Sequence, residues 1–101
     1  MPVVMVAEGG RTGQVAPIVA ALEVGRGGQA GLRLEDESVS RLHCRFEHAD
    51  AEVTLRDLNS LNGTRLNGRR IKFEVVRSGD RIRVGGTVLI YFDEGGSLSE
   101  L

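Results

Sequence analysis

The sequence predicts an all-β domain, and three observations carry that prediction. Short apolar or alternating runs recur along its 101 residues, glycine-containing breaks separate them, and helical periodicity never lasts beyond a turn or two. Such a rhythm belongs to a sandwich or a barrel.

The elements follow in order. Val3 to Ala7 is an apolar run closed by Glu8 and Gly9-Gly10, and a pair of strands is expected at Val15 to Val19 and Leu22 to Val24. Leu32 to Leu34 is short, whereas Cys44 to Glu47 and Val53 to Asp57 alternate apolar and polar side chains as half-buried strands do. Thr64 to Leu66 and Arg69 to Ile71 flank Asn67-Gly68, read simply as a turn. Arg81 to Val84 and Val88 to Phe92 flank Gly85-Gly86, which supplies the positive dihedrals of a two-residue hairpin turn. Ile82 and Val84 then point to one face and Arg81 and Arg83 to the other, so one face is buried and one is wet. From Asp93 the composition turns to Glu94-Gly95-Gly96-Ser97, a flexible stretch. We expect a single domain over residues 1–94 and a tail or linker over 95–101, leading to other domains of a longer parent protein; a free-standing adaptor would carry the same sequence.

With 41% hydrophobic residues the chain supports one core, with little room for an organic cofactor, and none is expected. Thirteen basic against 14 acidic residues give a net charge of −1, so no global field draws it to nucleic acid or to an anionic membrane. Any bound anion must be held locally. Aromatic residues make up 4% and tryptophan is absent, which argues against a base-stacking surface. The single cysteine, Cys44, allows no internal disulfide and fits a reducing compartment, so a cytoplasmic protein is expected. Met1 to Ala7 lacks a charged leader and reads as a strand, not a signal peptide; the run from Val15 to Leu22 is too short for a membrane span and contains Pro17.

Polar residues able to carry chemistry cluster in the breaks. Arg26 follows Gly25 at a strand end and precedes Gly27-Gly28; its planar fork suits phosphate oxygens, although a solvated arginine beside a turn would look the same. Ser40-Arg41-Leu42-His43 sets a hydroxyl donor beside a second guanidinium, with His43 more simply structural than catalytic. Asn62-Gly63 is a turn dipeptide, but Ser60, Asn62 and Thr64 crowd polar groups around it, and an asparagine amide suits a peptide backbone. Ser40, His43 and Asp57 do not make a hydrolase, because neither a nucleophile elbow nor an oxyanion hole can be placed. His43, Cys44 and His48 lack a second cluster at metal-ligand spacing. No enzyme is expected.

Gly25-Arg26, Ser40-Arg41-Leu42-His43, Ser60-Leu61-Asn62-Gly63-Thr64, Asn67-Gly68 and the closing Ser78-Gly79-Asp80-Arg81-Ile82-Arg83-Val84-Gly85 occur in an order and spacing that resembles the forkhead-associated (FHA) domain family. The resemblance covers about Leu22 to Phe92. It implies an FHA-like β-sandwich of two mainly antiparallel sheets whose loops at one end grip phosphothreonine in a partner protein or peptide, within serine/threonine kinase signalling of a bacterial kind. Carried over residue by residue, it implies that Arg26 contacts the phosphate or braces its loop, Ser40 donates to it, Arg41 supplements it and Asn62 holds the peptide backbone. Gly25, His43, Gly63 and Thr64 would shape the site. Leu61 stands where many members carry a threonine, leaving its backbone N–H as the available contact. Ser38 stands where some members carry an arginine that favours acidic residues after the phosphothreonine, and here Asp36 and Glu37 are expected to repel them. The alternative within the fold is a phosphate-independent FHA-like module for assembly or oligomerisation.

Overall fold

The computed structural model describes residues 1–93, which form eleven strands and no helix. These are β1 (Pro2–Glu8), β2 (Val15–Pro17), β3 (Ala21–Gly25), β4 (Leu32–Arg33), β5 (Cys44–Ala49), β6 (Glu52–Asp57), β7 (Thr64–Leu66), β8 (Arg69–Ile71), β9 (Phe73–Val76), β10 (Arg81–Val84) and β11 (Thr87–Asp93). They pair into a six-stranded sheet of order β2-β1-β11-β10-β7-β8 and a five-stranded sheet of order β4-β3-β5-β6-β9. The pairings are antiparallel except between β3 and β4. The fold is therefore the expected all-β sandwich. No helix among the described residues is long and apolar enough to cross a membrane.

Alternation along the strands builds the core. Val4, Val6, Ile82, Val84, Leu89 and Tyr91 of the first sheet face Leu22, Val24, Phe46 and Leu55 of the second, and all are buried. Each aliphatic side chain so removed from water contributes about 1.5–3 kcal/mol before entropy is counted. Phe46 on β5 stacks on Tyr91 on β11 with ring centroids 6.5 Å apart, an aromatic tie between the two layers. On β10 the expected division holds: Ile82 and Val84 are fully buried while Arg81 and Arg83 are exposed.

The structure adds one strand and trims others. β9 was absent from the sequence reading because Phe73 and Glu74 are exposed, Val75 is half-buried and only Val76 is buried, so no alternation marks it. It is an edge strand held by β6 alone. The strand expected to reach Val19 stops at Pro17 because its partner β1 begins at Pro2, whose carbonyl accepts the Ile18 N–H at 2.9 Å as the Ile18 side chain turns fully into the core. Of the Gly85-Gly86 pair, Gly85 alone has a positive φ, 61°, so one such dihedral, not two, makes the turn. Asn67-Gly68 has φ of 50° and 87° and does more than turn, because the Asn67 side chain donates to Asp80 Oδ1 and accepts from the Arg81 N–H, pinning the start of β10. The stretch beginning at Glu94 and the tail at 95–101 lie outside the described residues.

The loops after β3 and β4, the loop after β6 and the β10–β11 turn converge at one end of the sandwich, through hydrogen bonds from Arg26 to Ser40, from Asn62 to Ser38 and from Gly86 to Asp36. Replacing Phe46 with Ala is expected to cost about 3–5 kcal/mol, read as a lowered midpoint in chemical denaturation, whereas Phe46→Leu should cost distinctly less because it refills most of the volume.

Candidate functional site

Backbone contact sets the floor of this end. The Arg26 N–H donates to Ser40 O at 2.9 Å, the Gly27 N–H to Arg41 O at 3.0 Å and the His43 N–H to Val24 O at 2.8 Å, so the end of β3 is zipped to residues 40–43. Gly25 makes this approach possible: a Cβ built there would lie 2.0 Å from Arg41 O and 2.7 Å from its carbonyl carbon, which no side chain can tolerate.

His43 joins this layer to the next. It is fully buried; its Nδ1 accepts the Ser40 N–H at 3.0 Å, so the proton sits on Nε2, which donates to Gly63 O at 2.8 Å. Both ring nitrogens are thereby used, and neither bonds the Ser40 hydroxyl, which leaves that hydroxyl without a base.

Asp57, at the end of β6, organises the loop that follows. Its Oδ1 accepts from Ser60 Oγ at 2.5 Å and Thr64 Oγ1 at 2.7 Å, its Oδ2 accepts the Ser60 N–H, and Ser60 Oγ in turn accepts the Gly63 N–H. Gly63 takes φ 82° within this knot, a conformation natural to glycine. Burial pushes the Asp57 carboxyl up, but the hydrogen bonds from the Ser60 and Thr64 side chains and the Ser60 N–H outweigh it and hold the carboxyl below its ordinary value. Sequence reasoning met Asp57 only in a discarded catalytic triad. The signal that would have found it is the Asp-x-x-Ser spacing at a strand end, which closes an Asx-type turn.

Asp36 ties the third loop. It accepts from Ser38 Oγ and N–H, from the Gly86 N–H at 3.0 Å and from Thr87 Oγ1 at 2.9 Å, clamping the loop before β5 to the β10–β11 turn. The Ser38 hydroxyl, besides donating to Asp36, accepts the Gly86 N–H as well, and these bonds hold the Asp36 carboxyl below its ordinary value. This corrects the expectation that Asp36 and Glu37 both face a ligand. Asp36 is committed inward, and Glu37 alone of the two lines the site.

Above this scaffold lies a shallow depression of about 210 Å³ that brings together Arg26, Ser40, Arg41, Leu61 and Asn62, with Glu37, Ser38 and Val39 on its wall. Arg26 braces the loop through Nε to Val39 O at 3.0 Å. Arg41 is exposed, and among the described residues its guanidinium has no partner. Ser40 Oγ accepts the Leu61 N–H at 3.0 Å, which leaves its own proton to give. The Leu61 N–H is thus engaged within the protein, while its side chain is 86% exposed beside the hollow. Asn62 Nδ2 donates to Ser38 O at 2.8 Å, spanning the mouth between two loops. Gly25, His43, Gly63 and Thr64 lie beneath, in the supporting contacts already described. Cys44 is fully buried and burial raises its thiol far out of the reactive range. Among the described residues no three of His, Cys, Asp and Glu are grouped to hold a metal ion.

Three findings from known proteins bear on this geometry. The FHA domain family model matches residues 22–85. The oxoglutarate dehydrogenase inhibitor of Corynebacterium diphtheriae is 35% identical over 69 residues, 68% of this chain and 48% of that protein. The chain thus spans about half the length of the curated relatives it matches there. Among solved structures, one from a structural and functional analysis of phosphothreonine-dependent FHA domain interactions superposes with a TM-score of 0.86 at 30% identity, covering 91% of this chain and 95% of that one. The FhaA FHA domain, complexed with the intracellular domain of Rv3910, superposes at 0.84 and 30% identity, covering 90% and 99%.

Two outcomes are expected. Gly25→Ala must push the Arg41 backbone away and should cost on the order of 2 kcal/mol or more, measured by thermal unfolding. Asp36 and Asp57 have lowered native values against an ordinary 3.8, so the unfolded chain takes up protons first. Their contribution to stability is complete above that value and is lost as pH falls through the native ones; the melting temperature should therefore drop below about pH 4, and less steeply in Asp36→Asn. The family match, the sandwich topology and the superpositions lead to one conclusion: this chain belongs to the FHA domain family.

Proposed function

We propose that this domain binds phosphothreonine-containing segments of a partner protein in serine/threonine kinase signalling, and that it binds without turning anything over. The observation that carries the reading is the depression in which two guanidiniums, the Ser40 hydroxyl and the Asn62 amide converge on a rigid scaffold, in a chain whose net charge of −1 supplies no general attraction for anions. A phosphate brings about −1.5 to −2 charges and three acceptor oxygens. Arg41, having no internal partner, would form a new charge-assisted bond to it. Arg26 can add its outer nitrogens while Nε keeps the loop in place. Ser40 would donate its free proton, and Asn62 would turn its amide toward the backbone beside the phosphothreonine. The phosphothreonine-dependent interactions of the superposed FHA domain support the assignment, and the reducing-compartment chemistry of a buried lone thiol agrees with a cytoplasmic setting. Residues 1–94 would form the binding unit, joined beyond it to further sequence of a parent protein.

Few contacts and the ordering of a flexible peptide set the expected affinity near micromolar. The test is calorimetry with degenerate phosphothreonine, phosphoserine and unphosphorylated peptide pools. Binding to phosphothreonine alone, weakened about 10- to 100-fold in Arg41→Ala, is the expected result. Because the second ionisation of the phosphate lies near pH 6, affinity should fall as pH drops through about that value. Equal binding of unphosphorylated peptide would move the domain to a phosphate-independent docking role.

A further inference from the structure

The outer face of the six-stranded sheet carries a charge pattern that the phosphate site does not use. Strand register places Arg83 on β10 directly opposite Arg65 on β7, and Arg65 directly opposite Arg70 on β8. Adjacent strands lie roughly 4.8 Å apart, so the backbones of three arginines fall in a row only about 10 Å long, with the Arg65 head turned toward Gly68 and the Arg70 head toward Gly63. Like charges directly opposite each other destabilise a sheet, so this row works against the fold that bears it. Nothing internal neutralises it: among the described residues Arg81 pairs with Glu8 at 3.3 Å, Arg65 bonds only the Gly68 carbonyl, and Arg70 and Arg83 meet no carboxylate.

The row borders apolar ground. Val88 lies opposite Arg83 and Ile90 opposite Arg81. Val88 is 2% exposed yet stands apart from the core cluster, because it sits under the arginine stems on the outer side of the sheet. A hollow of about 360 Å³, larger than the one at the loops, is lined by Arg65, Arg81, Arg83, Val88 and the Asn67-Gly68 turn. Beyond it the half-buried Ile90, Met5 and Val3 continue the apolar ground across β11 and β1.

We infer that this face is a second binding surface, and that its occupant is an unphosphorylated acidic protein segment in which Asp or Glu residues are interleaved with aliphatic ones. Carboxylates spaced along such a segment neutralise the Arg83-Arg65-Arg70 row, and its aliphatic side chains cover Ile90 and Met5. The charge complementarity is local and short, which suits a peptide. The apolar floor does nothing for a nucleic-acid backbone, and the chain as a whole is slightly acidic. The row is distinct from the hollow around Arg26, Ser40 and Arg41 but adjoins its far edge, where Arg65 and Arg83 share a small hollow with Asn62 and Gly63; the inference stands whether or not Arg41 reads phosphothreonine.

The test is an amide-shift NMR titration of the full chain with three probes: a twelve-residue unphosphorylated peptide of Glu interleaved with Leu and Val, the same peptide with Gln for every Glu, and a short DNA duplex. The expected result is movement of the Arg65, Arg70, Arg83, Val88 and Ile90 amides with the acidic peptide alone, weakened at least tenfold in R65E/R83E and unaffected by Arg41→Ala. Should the double variant lose its dispersed spectrum, Arg83→Gln, which only removes a like-charge neighbour, is expected to fold and to weaken binding severalfold. Shifts that are absent, that map to Arg26, Ser40 and Arg41, that persist with the Gln peptide, or that the DNA duplex produces at lower concentration would overturn the inference.

Discussion

The loop end of the sandwich, where the proposed site lies, is built on a buried imidazole. His43 receives a hydrogen bond from the backbone of Ser40 and gives one to the backbone of Gly63, so its ring bridges from below the two loops that carry Ser40, Arg41, Leu61 and Asn62, which the Leu61–Ser40 and Asn62–Ser38 bonds also join. Because the ring is enclosed, losing either bond would leave an unsatisfied polar group, at a cost of about 1–3 kcal/mol. The tautomer is fixed by its partners, and that fixed tautomer excludes the histidine from acid–base work on Ser40. A residue type associated with catalysis is here a spacer.

Around that ring the charged and polar groups divide into those that are consumed and those that are spare. Asp36 and Asp57 each collect several donors and hold loop backbone in place, which is why both carboxyls stay ionised below their ordinary range. Arg41 and the Ser40 proton are left over. Such an arrangement is preorganised: the acids bear the cost of shaping the loops, and the Arg41 guanidinium would meet an incoming anion without first breaking an internal bond. The close approach of Gly25 to Arg41 belongs to the same logic, since it fixes the backbone from which the free guanidinium projects.

The two sheets contribute unequally to the surface. On the five-stranded sheet Arg45 also lies opposite Arg56, but Arg45 pairs with Glu23 and Arg56 lies over the Phe73 ring at 4.5 Å. On the outer face of the six-stranded sheet Arg83, Arg65 and Arg70 follow one another across three strands, and among the described residues none of them pairs with a carboxylate.

Much of this was legible in the chain. Alternation located ten of the strands because period-2 burial leaves its mark locally, and the ordered motifs around Gly25, Ser40 and Asn62 drew attention to the residues that share the depression. The strand Phe73–Val76 was not legible, since an edge strand with one buried side chain has no period to read. Nor was the direction of Asp36, whose partners Gly86 and Thr87 lie some fifty positions away. The sequence by itself determined the fold class, the family and the identity of the loop residues, because each of these rests on local pattern. Only the tertiary structure decided which polar groups are spent on the scaffold, that the Leu61 N–H is taken by Ser40, and that Arg83, Arg65 and Arg70 stand in one row. Those outcomes depend on which distant strands and loops become neighbours, and long-range register is not written in any local stretch of chain.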